Sequence, residues 1–131
     1  MRSKFVWCSL VVLFVGIIYS PEIFWLMART GFNKANHEKK WAPALTLRSA
    51  RFFVLFGRYQ RALRIVRRIQ QTWPPERIDA PRCQYIEAYC LERLGRYQEA
   101  LEKYDQFLKA YPEHELAPIA KHRRITCQAN L

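Results

Sequence analysis

The chain is poor in glycine, with four in 131 residues (Gly16, Gly31, Gly57 and Gly95) and no two of them close together. A phosphate-cradling loop needs clustered glycines so that backbone amides can approach the ligand, and that class of nucleotide site is therefore excluded. Four cysteines (Cys8, Cys83, Cys90 and Cys127) form no CxxC pair, and none is spaced with a histidine as a zinc site requires. On a helix, Cys83 and Cys90 lie two turns apart, too far for a disulfide. Small buried hydrophobes are the role expected of them.

No nucleophile, base and stabiliser fall into a catalytic pattern. His37 sits in a polar stretch, His114 follows Pro112 in a loop, and His122 stands among Lys121, Arg123 and Arg124. The carboxylates Glu99, Glu102 and Asp105 share a helical segment with Lys103, as an ordinary solvated face does. The expectation is a protein with no catalytic residues, no metal and no cofactor.

Acidic residues are scarce in one half only. Residues 1–75 hold 13 Lys/Arg against two Asp/Glu, whereas residues 76–131 hold nine of each. The net charge of +11 therefore belongs wholly to the N-terminal part. A basic surface suits anionic head groups, an acidic protein or nucleic acid.

What the N-terminal part has in abundance is apolar length. Phe5–Ala28 runs 24 residues with Glu22 as its single charge. As a helix it reaches roughly 36 Å at ~1.5 Å per residue, enough for a bilayer core of about 30 Å. Trp7 at one end, with Tyr19 and Trp25 toward the other, suits interfacial belts. Signal-peptide cleavage is poorly served, because bulky Ile18 precedes Ser20 and Pro21 would follow the cut. A retained single-pass anchor at residues 1–28 is expected, then a basic linker at 29–42. Ser20-Pro21-Glu22 also has the form of a helix start. Either the span is kinked there, or a membrane insert at Phe5–Tyr19 gives way to an interfacial helix from Pro21. Orientation stays open. Arg29, Lys34, Lys39, Lys40 and Arg48 beyond the span favour a cytoplasmic domain, while the short basic tail with Arg2 and Lys4 suits an anchor that leaves the domain outside, as in an envelope protein.

Beyond the anchor the chain repeats itself. GRYQRAL at Gly57–Leu63 returns as GRYQEAL at Gly95–Leu101. The offset from Gly57 to Gly95 also aligns Ala50 with Ala88, Phe53 with Leu91, Ala62 with Ala100, Val66 with Tyr104, Ile69 with Phe107, Trp73 with Tyr111 and Pro74 with Pro112. Each unit is a helix, a glycine turn, a second apolar helix and a proline stop. Gly57 and Gly95 suit left-handed caps. Ala62 and Ala100 let helices approach closely, and Pro74 and Pro112 end the second helices.

With its small, aromatic and proline positions in this order, Pro43–Pro112 resembles the tetratricopeptide repeat. The resemblance implies an all-α fold: a membrane helix, two helix–turn–helix units (about 43–80 and 81–118) and a closing helix (about 115–129) within a domain spanning 43–131. The period, set by Gly57 and Gly95, exceeds the family's usual length of about 34 residues, the surplus lying in Pro75–Ala80. Two units fall below the usual minimum of three, so extra burial must come from elsewhere. Tyr97–Ala120, with an aromatic–proline end leading into A-x-x-A, is similar to the repeats of bacterial envelope proteins of outer-membrane assembly and the Tol–Pal system.

In such repeats the first helices line a partner-binding groove. The resemblance carries that role onto Leu47, Arg51, Val54 and Leu55, then Arg82, Tyr85, Tyr89, Glu92 and Arg93. An acidic or carboxylate-ended peptide is the expected occupant, either stacking on Tyr85 and Tyr89 or leaving those rings to pack between repeats. A second surface is a basic ridge of Arg58, Arg61, Arg64, Arg67 and Arg68. Anionic lipid or acidic protein ranks above nucleic acid there, because no interleaved aromatics or reading helix accompany it. The function expected is a membrane-tethered scaffold for protein–protein interaction, and the alternative is peripheral lipid or nucleic-acid binding through that ridge.

Overall fold

Apolar residues three, four and seven apart give one stripe per helix, and such stripes are buried only by stacking. The computed structural model describes Gly16 and residues 21–131. Within 21–131 it shows six α-helices: α1 (Pro21–Gly31), α2 (Trp41–Leu55), α3 (Tyr59–Thr72), α4 (Ala80–Arg93), α5 (Tyr97–Ala110) and α6 (Ala117–Ala129). Short 3-10 turns at Lys34–Asn36 and Pro75–Arg77 precede α2 and α4. Each helix packs on the next, and α2 also meets α4.

The two glycine turns are alike in detail. Gly57 (φ 68°) and Gly95 (φ 75°) take the left-handed conformation expected of them. Gly57 N–H donates to the Val54 carbonyl at 3.0 Å and Arg58 N–H to that of Phe53 at 2.8 Å. Gly95 and Arg96 repeat the pattern on Glu92 and Leu91 at 3.0 and 2.9 Å. This is a Schellman cap used twice. Pro74 and Pro112 follow the ends of α3 and α5 as expected, and Ala50, Ala62, Ala88 and Ala100 are wholly buried.

The repeat extends further toward the N-terminus than the two units. Phe24, Ala28 and Gly31 of α1 precede Ala62, Val66 and Ile69 of α3 by one full period, and these precede Ala100, Tyr104 and Phe107 of α5 by another. All nine are buried. Helix α1 is therefore the second helix of a preceding unit, and α6 the first helix of a following one. Ala42-Pro43, Ala80-Pro81 and Ala117-Pro118 open or nearly open α2, α4 and α6 alike. Two alternating layers of three helices result, supplying the burial that two units lack.

A helix starts at Pro21, as one of the two readings of Ser20-Pro21-Glu22 has it, and it is amphipathic, sinking Phe24 and Ala28 into the core. Phe24 stacks on Phe52 at 4.2 Å between ring centroids. The stretch 29–42 is likewise built into the domain: Phe32 stacks on Trp73 at 5.5 Å, and the Trp73 indole N–H donates to the His37 carbonyl at 3.2 Å. The rest of the expected anchor lies outside the described residues, Gly16 apart. Among the described residues no helix is long and apolar enough to cross a membrane.

Candidate functional site: a basic cleft between first helices

The first-helix layer, α2–α4–α6, carries the groove residues inferred from sequence, but they divide into two groups. Leu47, Arg51 and Arg82 line a cleft of about 210 Å³ between α2 and α4, with Lys40, Arg48 and Arg77 on its walls and Asp79 at one edge. Arg82 is held by Glu115 at 2.8 Å and by Asp79 at 3.5 Å. Those pairs push its pKa up and hold the Glu115 carboxyl below its ordinary value. Arg77 donates to the carbonyls of His37 and Glu38, both at 3.2 Å. Lys40, Arg48 and Arg51 take part in no ion pair among the described residues. The cleft therefore presents uncompensated positive charge over an apolar floor of Leu47, Ile69 and Ile78.

The second group serves packing. Tyr85 and Tyr89 lie parallel at 6.4 Å, and Tyr85 meets Tyr104 and Phe107 edge-on. The Arg123 guanidinium from α6 covers the Tyr89 ring at 4.5 Å and pairs with Glu92 at 2.9 Å. Glu92 also accepts from the Tyr104 hydroxyl at 2.7 Å, and burial with this carboxylate pushes the Tyr104 pKa up. Tyr85 and Tyr89, both half-buried, thus make packing contacts between repeats. Arg93 turns to α3 and donates to the Tyr59 hydroxyl at 3.3 Å. Leu55 is 77% exposed at the end of α2, away from the cleft residues.

The arginine ridge is likewise not one surface. Arg67 turns inward, reaching buried Glu87 at 2.9 Å, with Lys103 at 3.6 Å from the same oxygen. Arg61, Arg64 and Arg68 instead face α1. Sequence reasoning missed Arg123 as a groove-closing residue, and placed a helix from Pro21 without seeing that it packs into the repeat core. The one-period match of Phe24, Ala28 and Gly31 to the α3 core was the available signal.

His37 and His114 make packing and capping contacts. His114 Nδ1 accepts from the Leu116 amide, and His37 sets its ring edge against Trp73. Cys83, Cys90 and Cys127 are free and wholly buried. Burial pushes the first two thiols up to about 12 and the third to about 11.

Since the unfolded thiols ionise near 9, their contribution to stability is complete below that pH and is lost as pH rises toward 12. Each thiol contributes about 1.4 kcal/mol per pH unit in that window. The gap between urea midpoints at pH 8 and 10.5 should be wide in the parent chain and narrower in Cys83→Ala/Cys90→Ala, where Cys127 still contributes. In a Cys8→Ser background the three thiols should also resist alkylation at pH 8 until the chain unfolds.

Residues 81–114 match the tetratricopeptide repeat. That segment is α4, α5 and the turn after them, the second unit of the array. No curated protein and no solved structure matches the chain. The match covers this one unit, and a repeat of that kind suggests a scaffold for protein–protein interaction.

Proposed function

We propose that the protein is a membrane-tethered tetratricopeptide scaffold whose α2–α4 cleft takes an acidic or carboxylate-ended segment of a protein partner. The supporting observation is the cluster of Lys40, Arg48 and Arg51 over Leu47, none of the three paired with a carboxylate of the described residues. Guanidinium groups bind carboxylates in a planar fork, which suits a chain terminus or an Asp/Glu side chain. Tethering is supported by the apolar stretch from Phe5. The likeness of Tyr97–Ala120 to envelope repeats supports an assembly role at a bacterial-type membrane. A reporter active in one compartment, fused at the C-terminus, would assign the side of the membrane.

Binding is tested by calorimetry on the detergent-solubilised full chain, with an acidic peptide ending in a free carboxylate and with its amidated, uncharged counterpart. The charged peptide should bind, and Arg48→Glu/Arg51→Glu should weaken it at least tenfold, on the order of 1.4 kcal/mol. Equal affinity of parent and variant would remove the cleft from the function.

A further inference from the structure

The second-helix layer holds a different cleft, between α1 and α3, of about 930 Å³. Its walls carry Arg29, Arg61, Arg64 and Arg68, together with Glu22 and the rings of Trp25 and Phe32. None of these four arginines takes part in an ion pair among the described residues. Arg68 lies over the Phe32 ring at 4.4 Å, and Trp25 is 49% exposed. Apolar groups also gather beside α1. Helix α1 begins at Pro21, inside the apolar stretch Phe5–Ala28. The α2–α3 turn brings Phe56, 47% exposed, to within 6.0 Å of the Phe24 ring, and beside it stands Leu55, 77% exposed.

We propose that this end of the domain is a membrane-facing surface, with anionic phospholipid head groups entering the α1–α3 cleft and Leu55 and Phe56 dipping among the acyl chains. The inference goes beyond peptide docking at α2–α4 and uses a different face of the array. Charge and apolarity select lipid as the occupant. Four arginines side by side match phosphate oxygens, and an exposed tryptophan beside them has the amphipathic form found at the head-group level. Leu55 and Phe56 have no use in binding a soluble anion or a nucleic-acid backbone, but they gain free energy in hydrocarbon. Basic side chains near an anionic leaflet contribute on the order of 1 kcal/mol each, decaying with salt. Tyr59–Thr72 alone would present only the exterior of one helix; α1 turns its arginines into a two-walled cleft.

The test uses the full chain in nanodiscs, either of phosphatidylcholine alone or of phosphatidylcholine and phosphatidylglycerol at two to one, read by hydrogen exchange. Amides of α1, α3 and the α2–α3 turn should exchange at least fivefold more slowly in the anionic discs, and high salt should reverse most of that protection. Arg29→Ser/Arg64→Ser, both exposed and outside the core, should abolish the difference while leaving the thermal midpoint unchanged. Leu55→Ser should reduce it independently. Equal exchange in the two lipids, or protection that survives the arginine changes, would overturn the proposal. So would stabilisation of the detergent-solubilised chain by inorganic phosphate or a single-stranded oligonucleotide that matches the effect of the anionic lipid. Loss of peptide binding in the Arg48→Glu/Arg51→Glu chain would not touch this result, so the two readings fail separately.

Discussion

Gly31→Ala will destabilise the protein, although alanine is the better helix former. In an ordinary helical position the change gains up to about 1 kcal/mol from propensity and from the unfolded chain. Gly31 has no positive φ, so backbone freedom is not what it provides. It provides room. A Cβ there would stand 2.1 Å from Thr46 Oγ1 and 3.1 Å from the Ala42 carbonyl oxygen of α2. Thr46 cannot swing aside cheaply, since it is wholly buried and its hydroxyl donates to that same carbonyl at 2.7 Å. Helix α1 must lift from α2, loosening the stacking of Phe24 on Phe52. Overpacking costs about 1–3 kcal/mol, and a 2.1 Å contact belongs at the upper end, so after the propensity gain the net loss should be about 2 kcal/mol, lowering the thermal midpoint by roughly 10 °C. The decisive measurement is the double variant. Thr46→Ala removes the clashing oxygen, so Gly31→Ala should cost far less in that background. Equal cost in both backgrounds would show that the two helices are not in contact there.

How much of this was legible from sequence follows from the range of each interaction. Gly57 and Gly95 could be assigned because a left-handed cap is a local requirement that only glycine meets without strain. Arg51 and Arg82 could be placed on one cleft because the repeat period fixes their register. The docking of helix α1 was hidden for a physical reason: Phe24 and Ala28 are apolar residues at the end of an apolar stretch, where hydropathy gives no hint of the face they turn to a neighbour. Its period matched α3 all along, but without the glycine turn the other units share. The fates of Tyr85, Tyr89 and Glu92 were illegible because their partner, Arg123, is 31 residues beyond Glu92 and on a helix whose register departs from the repeat. Arg67 was indistinguishable from its exposed neighbours by charge pattern alone. Only the acid 20 residues away sets it apart.

That acid gives the second large effect. Arg67→Ala/Lys103→Ala should cost about 3 kcal/mol, most of it because of what it leaves behind. Glu87 sits on α4 between α3 and α5, with 4% of its side chain exposed, so its charge cannot be returned to water when its partners go. Arg67 and Lys103 are 39% and 35% exposed and stay partly solvated in either state. The cost is therefore asymmetric. Removing the cations strands a buried carboxylate, whereas removing the carboxylate frees two side chains that can reach solvent. Glu87→Gln alone should lose about 1 kcal/mol, and should recover much of the stability of the doubly truncated chain when added to it. Denaturant unfolding of the four chains measures that coupling directly. A strictly additive cycle would mean that Glu87 draws nothing from α3 and α5, and that apolar packing alone joins the second-helix layer across α4.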